Sequence, residues 1–223
     1  MADQVERSKI GELRGDPFFI VLTIFMTILL LLFVVYPVAS VLITSFRSEG
    51  QISLQNYRDF FRYSYYYRAM INSLILGVIT TTVVVIVSFA ISYTVSKTDL
   101  PLKQFLRTGA LLPLISPPFI FSLALIIIAG RRGLIYKLTG ISLNIYGWPG
   151  LVIAQTLSFL PLGFLMVNNV LQSLNPNLEE ASLDLGASQV KTLFKVIIPL
   201  ALPGLFKASL LVFIMSLADF GNP

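Results

Sequence analysis

The sequence predicts an all-α protein, a polytopic bundle of transmembrane helices, and three observations carry that prediction. The chain of 223 residues is 56% hydrophobic and only 12% charged, about half the charge of a typical soluble domain. Its charges are bunched, so residues 17–46, 69–96, 108–130 and 138–178 contain no Asp, Glu, Lys or Arg. A helix rising ~1.5 Å per residue needs about 20 apolar residues to cross the hydrocarbon core, and each of the first three runs holds one crossing.

Five spans follow, at about 18–43, 69–96, 108–130, 149–171 and 200–218. The first is too long for the ~7–15-residue core of a signal peptide and is followed by further spans, so it reads as a retained membrane helix. Residues 1–16, with Arg7, Lys9 and Arg14, form a polar tail before it. The fourth uncharged run is broken early by Gly140, Asn144, Gly147, Trp148, Pro149 and Gly150, which predicts an interfacial turn over 138–148 before the fourth span. Lys207 interrupts the fifth stretch near enough to an end to snorkel.

The connection 47–68 is rich in aromatic rings, among them Tyr57, Phe60, Phe61, Tyr63, Tyr65, Tyr66 and Tyr67. Such rings gather at the membrane–water boundary, and interfacial anchoring explains them better than ligand stacking. In the third span, Pro113, Pro117 and Pro118 withdraw backbone donors. A helix broken beside a translocation path and a kink that only aids packing both fit. Asn72, Gln155, Asn168 and Asn169 are the amides within spans, where hydrogen bonding between helices is the common use. Asp219, at the edge of the fifth span, is the one carboxylate near an apolar stretch, and interfacial placement suits it better than a substrate role.

Several function classes fall away. The chain has no cysteine and no histidine, which removes disulfides, Cys/His metal sites and any histidine base. No metal site and no catalytic constellation is predicted. The net charge of +5 is scattered over short loops, which fits attraction to a membrane surface and not nucleic acid. Channels and ion-coupled carriers usually show paired ionisable groups at mid-membrane, and the first four spans carry none. Counting Lys and Arg does not orient the chain: with the N-terminus inside, the inner segments hold eight and the outer ones seven.

The loop 172–199 is the most informative segment. Asn175 is a good helix cap, Pro176 suits the first helical position, and Glu179 with Glu180 is placed in the first turn, where carboxylates favour the positive end of the helix dipole. Gly186 can end this helix in a left-handed conformation. A second helix starts at Ser188, with Val190, Leu193, Phe194 and Ile197 predicted on one face and Lys191 and Lys195 on the other. Pro199 marks its end or a kink into the fifth span. Helix, turn and amphipathic helix in one exposed loop suit docking of a soluble partner, or an interfacial helix lying on lipid.

Glu180-Ala181-Ser182, three residues, Gly186, nine residues, Val196, one residue and Ile198-Pro199 resemble the EAA loop of binding-protein-dependent ABC transporter permeases. That pattern reads Glu-Ala-Ala, three residues, Gly, nine residues, Ile, one residue, Leu-Pro. The departures, Ser182, Val196 and Ile198, are small or apolar exchanges. Leu54-Gln55-Asn56-Tyr57, Tyr67-Arg68-Ala69, Asn72-Ser73-Leu74, Leu112-Pro113 with Pro117-Pro118-Phe119, Gly130-Arg131-Arg132-Gly133-Leu134-Ile135 and the terminal 218–223 extend the similarity over most of the chain. The later pieces are similar to the ferric-iron branch, and spermidine/putrescine and aminophosphonate permeases share several of them.

The resemblance implies a transmembrane domain over 17–223 in a bacterial inner membrane, with 172–199 inside the cell and the tail 1–16 cytoplasmic. It implies a permease that is not an enzyme and binds no cofactor, ATP and Mg²⁺ belonging to cytoplasmic ABC ATPase subunits. An extracytoplasmic solute-binding protein, a second permease domain or copy, and the lipid membrane complete its partners. Glu180, Ala181, Ser182, Gly186, Val196, Ile198 and Pro199 would form the ATPase-coupling loop, and Pro113, Pro117, Pro118 and Asp219 could line the translocation path. Ferric iron is the implied cargo; a polyamine or aminophosphonate permease, or an unrelated ion-coupled carrier, is the alternative. Permeases of this kind have at least six spans per unit, and some iron-branch chains fuse two units. The stop at Pro223, just after the fifth span, therefore reads as a fragment or an interrupted reading frame.

Overall fold

A computed structural model describes residues 17–48, 50–98 and 100–219; the tail 1–16 and residues 220–223 of the terminal motif lie outside the described residues. The described residues fall into two units, which meet at Ala69 and Met70.

In the first unit, helix α1 runs Pro17–Ser45, and none of its residues is buried. Two short antiparallel strands follow, β1 (Arg47–Ser48) and β2 (Gln51–Ile52), and then helix α2 (Gln55–Arg62). The aromatic-rich connection therefore has structure of its own. The Asn56 side-chain amide donates to the carbonyls of Thr44, Ser45 and Arg47 at 3.3, 3.2 and 2.9 Å, serving oxygens that the end of α1 leaves without helical partners. Tyr57 adds a hydroxyl contact to Ser45 at 2.9 Å and a ring contact to Phe46.

The second unit is a packed bundle. Helix α3 (Ser64–Lys97) enters it, followed by α4 (Lys103–Leu111) and a 3₁₀ turn (Leu112–Ile115). Next come α5 (Phe119–Ala129), α6 (Leu134–Thr139), α7 (Trp148–Ser173), α8 (Pro176–Asp184) and α9 (Gln189–Ala218). Among the described residues, five stretches are long and apolar enough to cross a membrane: Pro17–Ser45, Ser64–Lys97, Phe119–Thr139, Trp148–Ser173 and Gln189–Ala218.

The third of these departs from the expected 108–130. Pro113 sits buried in the 3₁₀ turn, and the backbone is not helical again until past Pro117, so the apolar run does not form one continuous helix. Both prolines of the pair remove a backbone donor. The Pro118 carbonyl accepts from the Phe121 N–H at 3.1 Å and from the Ser158 hydroxyl of α7 at 3.4 Å.

Pro199 does not end the helix before the fifth span, as it was expected to do if it did not kink it. Helix α9 continues through it, and a π turn at Leu193–Ile197 stands immediately ahead, closed by the Ile198 N–H to the Leu193 carbonyl. The wider turn relieves the clash of a proline ring with the carbonyl of the preceding turn. The same arrangement recurs in α1, where a π turn at Leu31–Val35 precedes Pro37.

Helices α3, α7 and α9 share the core. Val167, Leu171, Ile197, Ala201 and Ala208 form one buried cluster, and Val84, Phe159 and Val212 another. Close approach depends on small residues, as is usual between helices in lipid. A methyl group at Gly163 would fall 2.6 Å from the Ser88 hydroxyl and 2.7 Å from a Val84 methyl, and one at Gly204 would overlap Val170.

Gln155, fully buried, joins the three helices. Its amide oxygen accepts from Thr80 at 2.9 Å and Ser216 at 2.8 Å, and its nitrogen donates to the Ser216 carbonyl at 3.4 Å and Asp219 at 3.1 Å. Both ends of the amide are thus satisfied, which a buried polar group requires.

Candidate functional site

The helix–turn–helix between α7 and α9 is built from local signals. The Asn175 side chain accepts from the Asn177 N–H at 3.0 Å and caps α8, and Pro176 opens the helix. Glu179 lies in the first turn; Glu180 falls one residue beyond it. Gly186 closes α8 with φ of +82°; its N–H reaches the Leu183 carbonyl at 2.8 Å, and the Ala187 N–H reaches Ser182 at 3.1 Å. This pair of bonds is the Schellman arrangement, and it uses two of the carbonyls at the helix end. Ser188 then caps α9, accepting from the Lys191 N–H at 3.3 Å.

Tertiary bonds fix α8 at two points. The Lys97 ammonium at the end of α3 lies 2.6 Å from a Glu179 carboxylate oxygen. The hydroxyls of Ser182 and Thr192 meet at 2.9 Å, joining α8 to α9. An open groove between α8 and the start of α9 is lined by Ala181, Ser182, Leu185, Lys191, Lys195 and Pro199, among others.

The expected apolar face of the second helix divides. Ile197 is buried and Leu193 half-buried, but Val190 and Phe194 are exposed. Thr192 and the half-buried Val196 take the inner positions instead. Thr192 can do so because its hydroxyl is bonded to Ser182, which removes the cost of burying it.

Glu180, Ala181, Gly186 and Pro199 are exposed, whereas Ser182, Val196 and Ile198 are half-buried. The seven loop residues singled out by the sequence therefore lie on α8, its closing turn and the first part of α9. Of the four path candidates, Asp219 meets Gln155, and Pro118 meets Ser158 through its carbonyl. Gln155 and Ser158 are neighbours three residues apart on α7. Pro113 is buried and Pro117 exposed, both in the break between α4 and α5. Sequence reasoning missed Asn56 and Thr192, whose partners lie 9–12 and 10 residues away in other elements, and Lys97, whose partner is 82 residues away. It placed Gln155 among helix-bonding amides without naming its partners.

Fold and site together define a polytopic helical membrane protein with a capped helix–turn–helix set between its last two long apolar helices. The family described as "Binding-protein-dependent transport system inner membrane component" matches residues 90–221, and the chain belongs to that family. It is 30% identical over 228 residues to the "Putative ferric transport system permease protein FbpB 1" of Haemophilus influenzae, covering 97% of this chain and 35% of that protein. The chain thus spans about a third of that relative's length. It is also 34% identical over 125 residues to the "Molybdenum transport system permease protein ModB" of Escherichia coli K12, covering 54% of each. Among solved structures, a bacterial ABC transporter involved in the import of the acidic polysaccharide alginate matches with a TM-score of 0.74. That match covers 95% of this chain and 77% of the other at 14% identity, a likeness of fold.

Proposed function

We propose that this chain is a permease unit of an ATP-driven importer, and that its cargo is ferric iron delivered by an extracytoplasmic binding protein. The observation that carries the reading is α8: it is capped at both ends and held by Lys97 and Thr192, yet it leaves Glu180 and Ala181 exposed. A rigid helix with a free face suits docking to a soluble partner, here a cytoplasmic ABC ATPase. That assignment puts α8 inside the cell and the N-terminus on the same side. Glu180 supplies a polar contact, Ala181 and Ser182 allow close approach, and Gly186, Val196, Ile198 and Pro199 set the course of the chain around it.

The permease performs no bond chemistry and holds no cofactor of its own. ATP and Mg²⁺ act on the ATPase, whose closure moves α8 and shifts the bundle between outward-facing and inward-facing states. The break at Pro113, Pro117 and Pro118 and the carboxylate of Asp219 belong to the proposed path, since irregular backbone at membrane depth is tolerated where it borders protein or a wet cavity. A second permease domain or copy completes the path.

Iron rests on the likeness to the ferric relative, and molybdate is the competing cargo because of the likeness to the molybdenum permease. Right-side-out vesicles loaded with ATP, carrying this chain with its proposed ATPase and binding protein, are expected to accumulate radiolabelled ferric iron. Excess molybdate or spermidine should leave that uptake unchanged. Uptake of molybdate or spermidine in place of iron would reassign the cargo. No ATP-dependent uptake of any of the three, with the chain stably inserted, would contradict the importer reading.

A further inference from the structure

Two glutamates stand side by side on α8, and the structure gives them different surroundings. Glu179 and Lys97 are paired at 2.6 Å with side chains 24% and 16% exposed, while Glu180 is exposed. Successive residues on a helix point about 100° apart, so the two carboxylates cannot serve the same face. Lys97 is the last residue of α3, which packs through Val84, Ser88 and Ser92 against α7. One turn further along the same face, α8 is tied by Ser182 to Thr192, in the first turn of α9. The alanine that the EAA pattern has at this place could not make that bond.

We propose that Lys97 and Glu179 form a strut that passes the displacement of α8 to α3, with Ser182 and Thr192 passing it to α9. They are positioning residues, and Glu180 is the glutamate left for the ATPase. The inference rests on reading α8 as the coupling element. Burial makes the strut more than a surface ion pair: exposed pairs contribute little, but a partly buried one loses less to solvent and holds its geometry. A purely local role for Glu179, charge at the positive end of α8, predicts a different response. Exchanging the two charges would restore the strut but place a cation at that helix end, and would not restore a local effect.

In vesicles holding the chain with its ATPase and binding protein, Lys97→Glu and Glu179→Lys are each expected to lower uptake per ATP hydrolysed about fivefold or more. ATPase co-purification should stay intact in both, and the double exchange should recover most of the uptake. Glu180→Lys should instead lose ATPase co-purification, without rescue by Lys97→Glu. Either single variant at parental uptake per ATP, or a double exchange as poor as the singles, would overturn the strut. Failure of the underlying reading looks different: the parental chain itself would hold no ATPase. The strut is then decided by distance, because the chain has no cysteine and Thr98→Cys with Asp184→Cys can be spin-labelled alone. A narrow distance distribution in the parental background, broad in Lys97→Glu and narrow again in the double exchange, supports it. The same distribution in all three overturns it, whatever the ATPase does.

Discussion

Leucine in place of Gly163 is expected to destabilise the packing of the bundle. The first side-chain atom at this position would lie 2.6 Å from the Ser88 hydroxyl and 2.7 Å from a Val84 methyl, and both of those residues are fully buried. Neither neighbour is the end of a long flexible chain, so α3 and α7 would have to separate. Separation also strains the Thr80–Gln155 bond and the Ser92 contact to the Phe164 carbonyl, which bridge the same two helices. Overpacking a filled interface costs roughly 1–3 kcal/mol, which for a domain of this size lowers Tm by about 2–12 °C. Thermal unfolding in mild detergent, with size-exclusion profiles, measures it. Gly109→Leu is the control, because a side chain there meets nothing within 4 Å. Equal Tm values for the two variants would contradict the packing.

The second large effect falls on Gly186, where leucine is expected to abolish ATP-driven uptake while the fold survives. Its φ of +82° is costly for any residue with a Cβ, about 1–2 kcal/mol. Apart from its two chain neighbours, no described residue lies within 4 Å of the added atom, so no clash among the described residues follows. What the leucine does is strain the turn that ends α8 and fill space beside the exposed face of that helix. Gly50 gives a matched control, since it has the same φ of +82° and the same open surroundings in the connection after α1. Gly50→Leu should bear similar strain and keep ATPase binding and uptake; Gly186→Leu should lose both. Full uptake by Gly186→Leu at normal membrane abundance would remove the coupling role from this turn.

Composition alone made the fold class legible, because long uncharged runs have few structural outcomes in lipid. The loop was legible for a different reason: Asn175, Pro176, Gly186 and Ser188 act on backbone groups a few residues away, and such chemistry is written locally. Interactions at a distance were not. Lys97 and Glu179, Thr80 and Gln155, and Asn56 with the end of α1 meet only after the chain has folded, and no spacing announces them. Periodicity was also misleading where polar burial is offset by a bond. It put Val190 and Phe194 on one face with Leu193 and Ile197, but the Ser182 hydroxyl allows Thr192 a buried place, and Val190 and Phe194 stay exposed while Ile197 is buried. The prolines at 113–118 left a broken helix and a kink equally open, and the chain there is interrupted; at Pro199 a π turn keeps α9 continuous.

Cross-linking tests the proposed contact between the exposed face of α8 and a cytoplasmic ATPase. A cysteine at Ala181 would be the only thiol in the chain, as would one at the exposed Ile141, which precedes α7 at the end of the bundle far along the helix from α8. With a short thiol–amine reagent in membranes, Ala181→Cys is predicted to give an adduct of permease and ATPase whose yield changes when ATP is added, and Ile141→Cys none. An absent adduct at Ala181, or equal adducts at both positions, with the chain inserted and the ATPase present, would contradict the account.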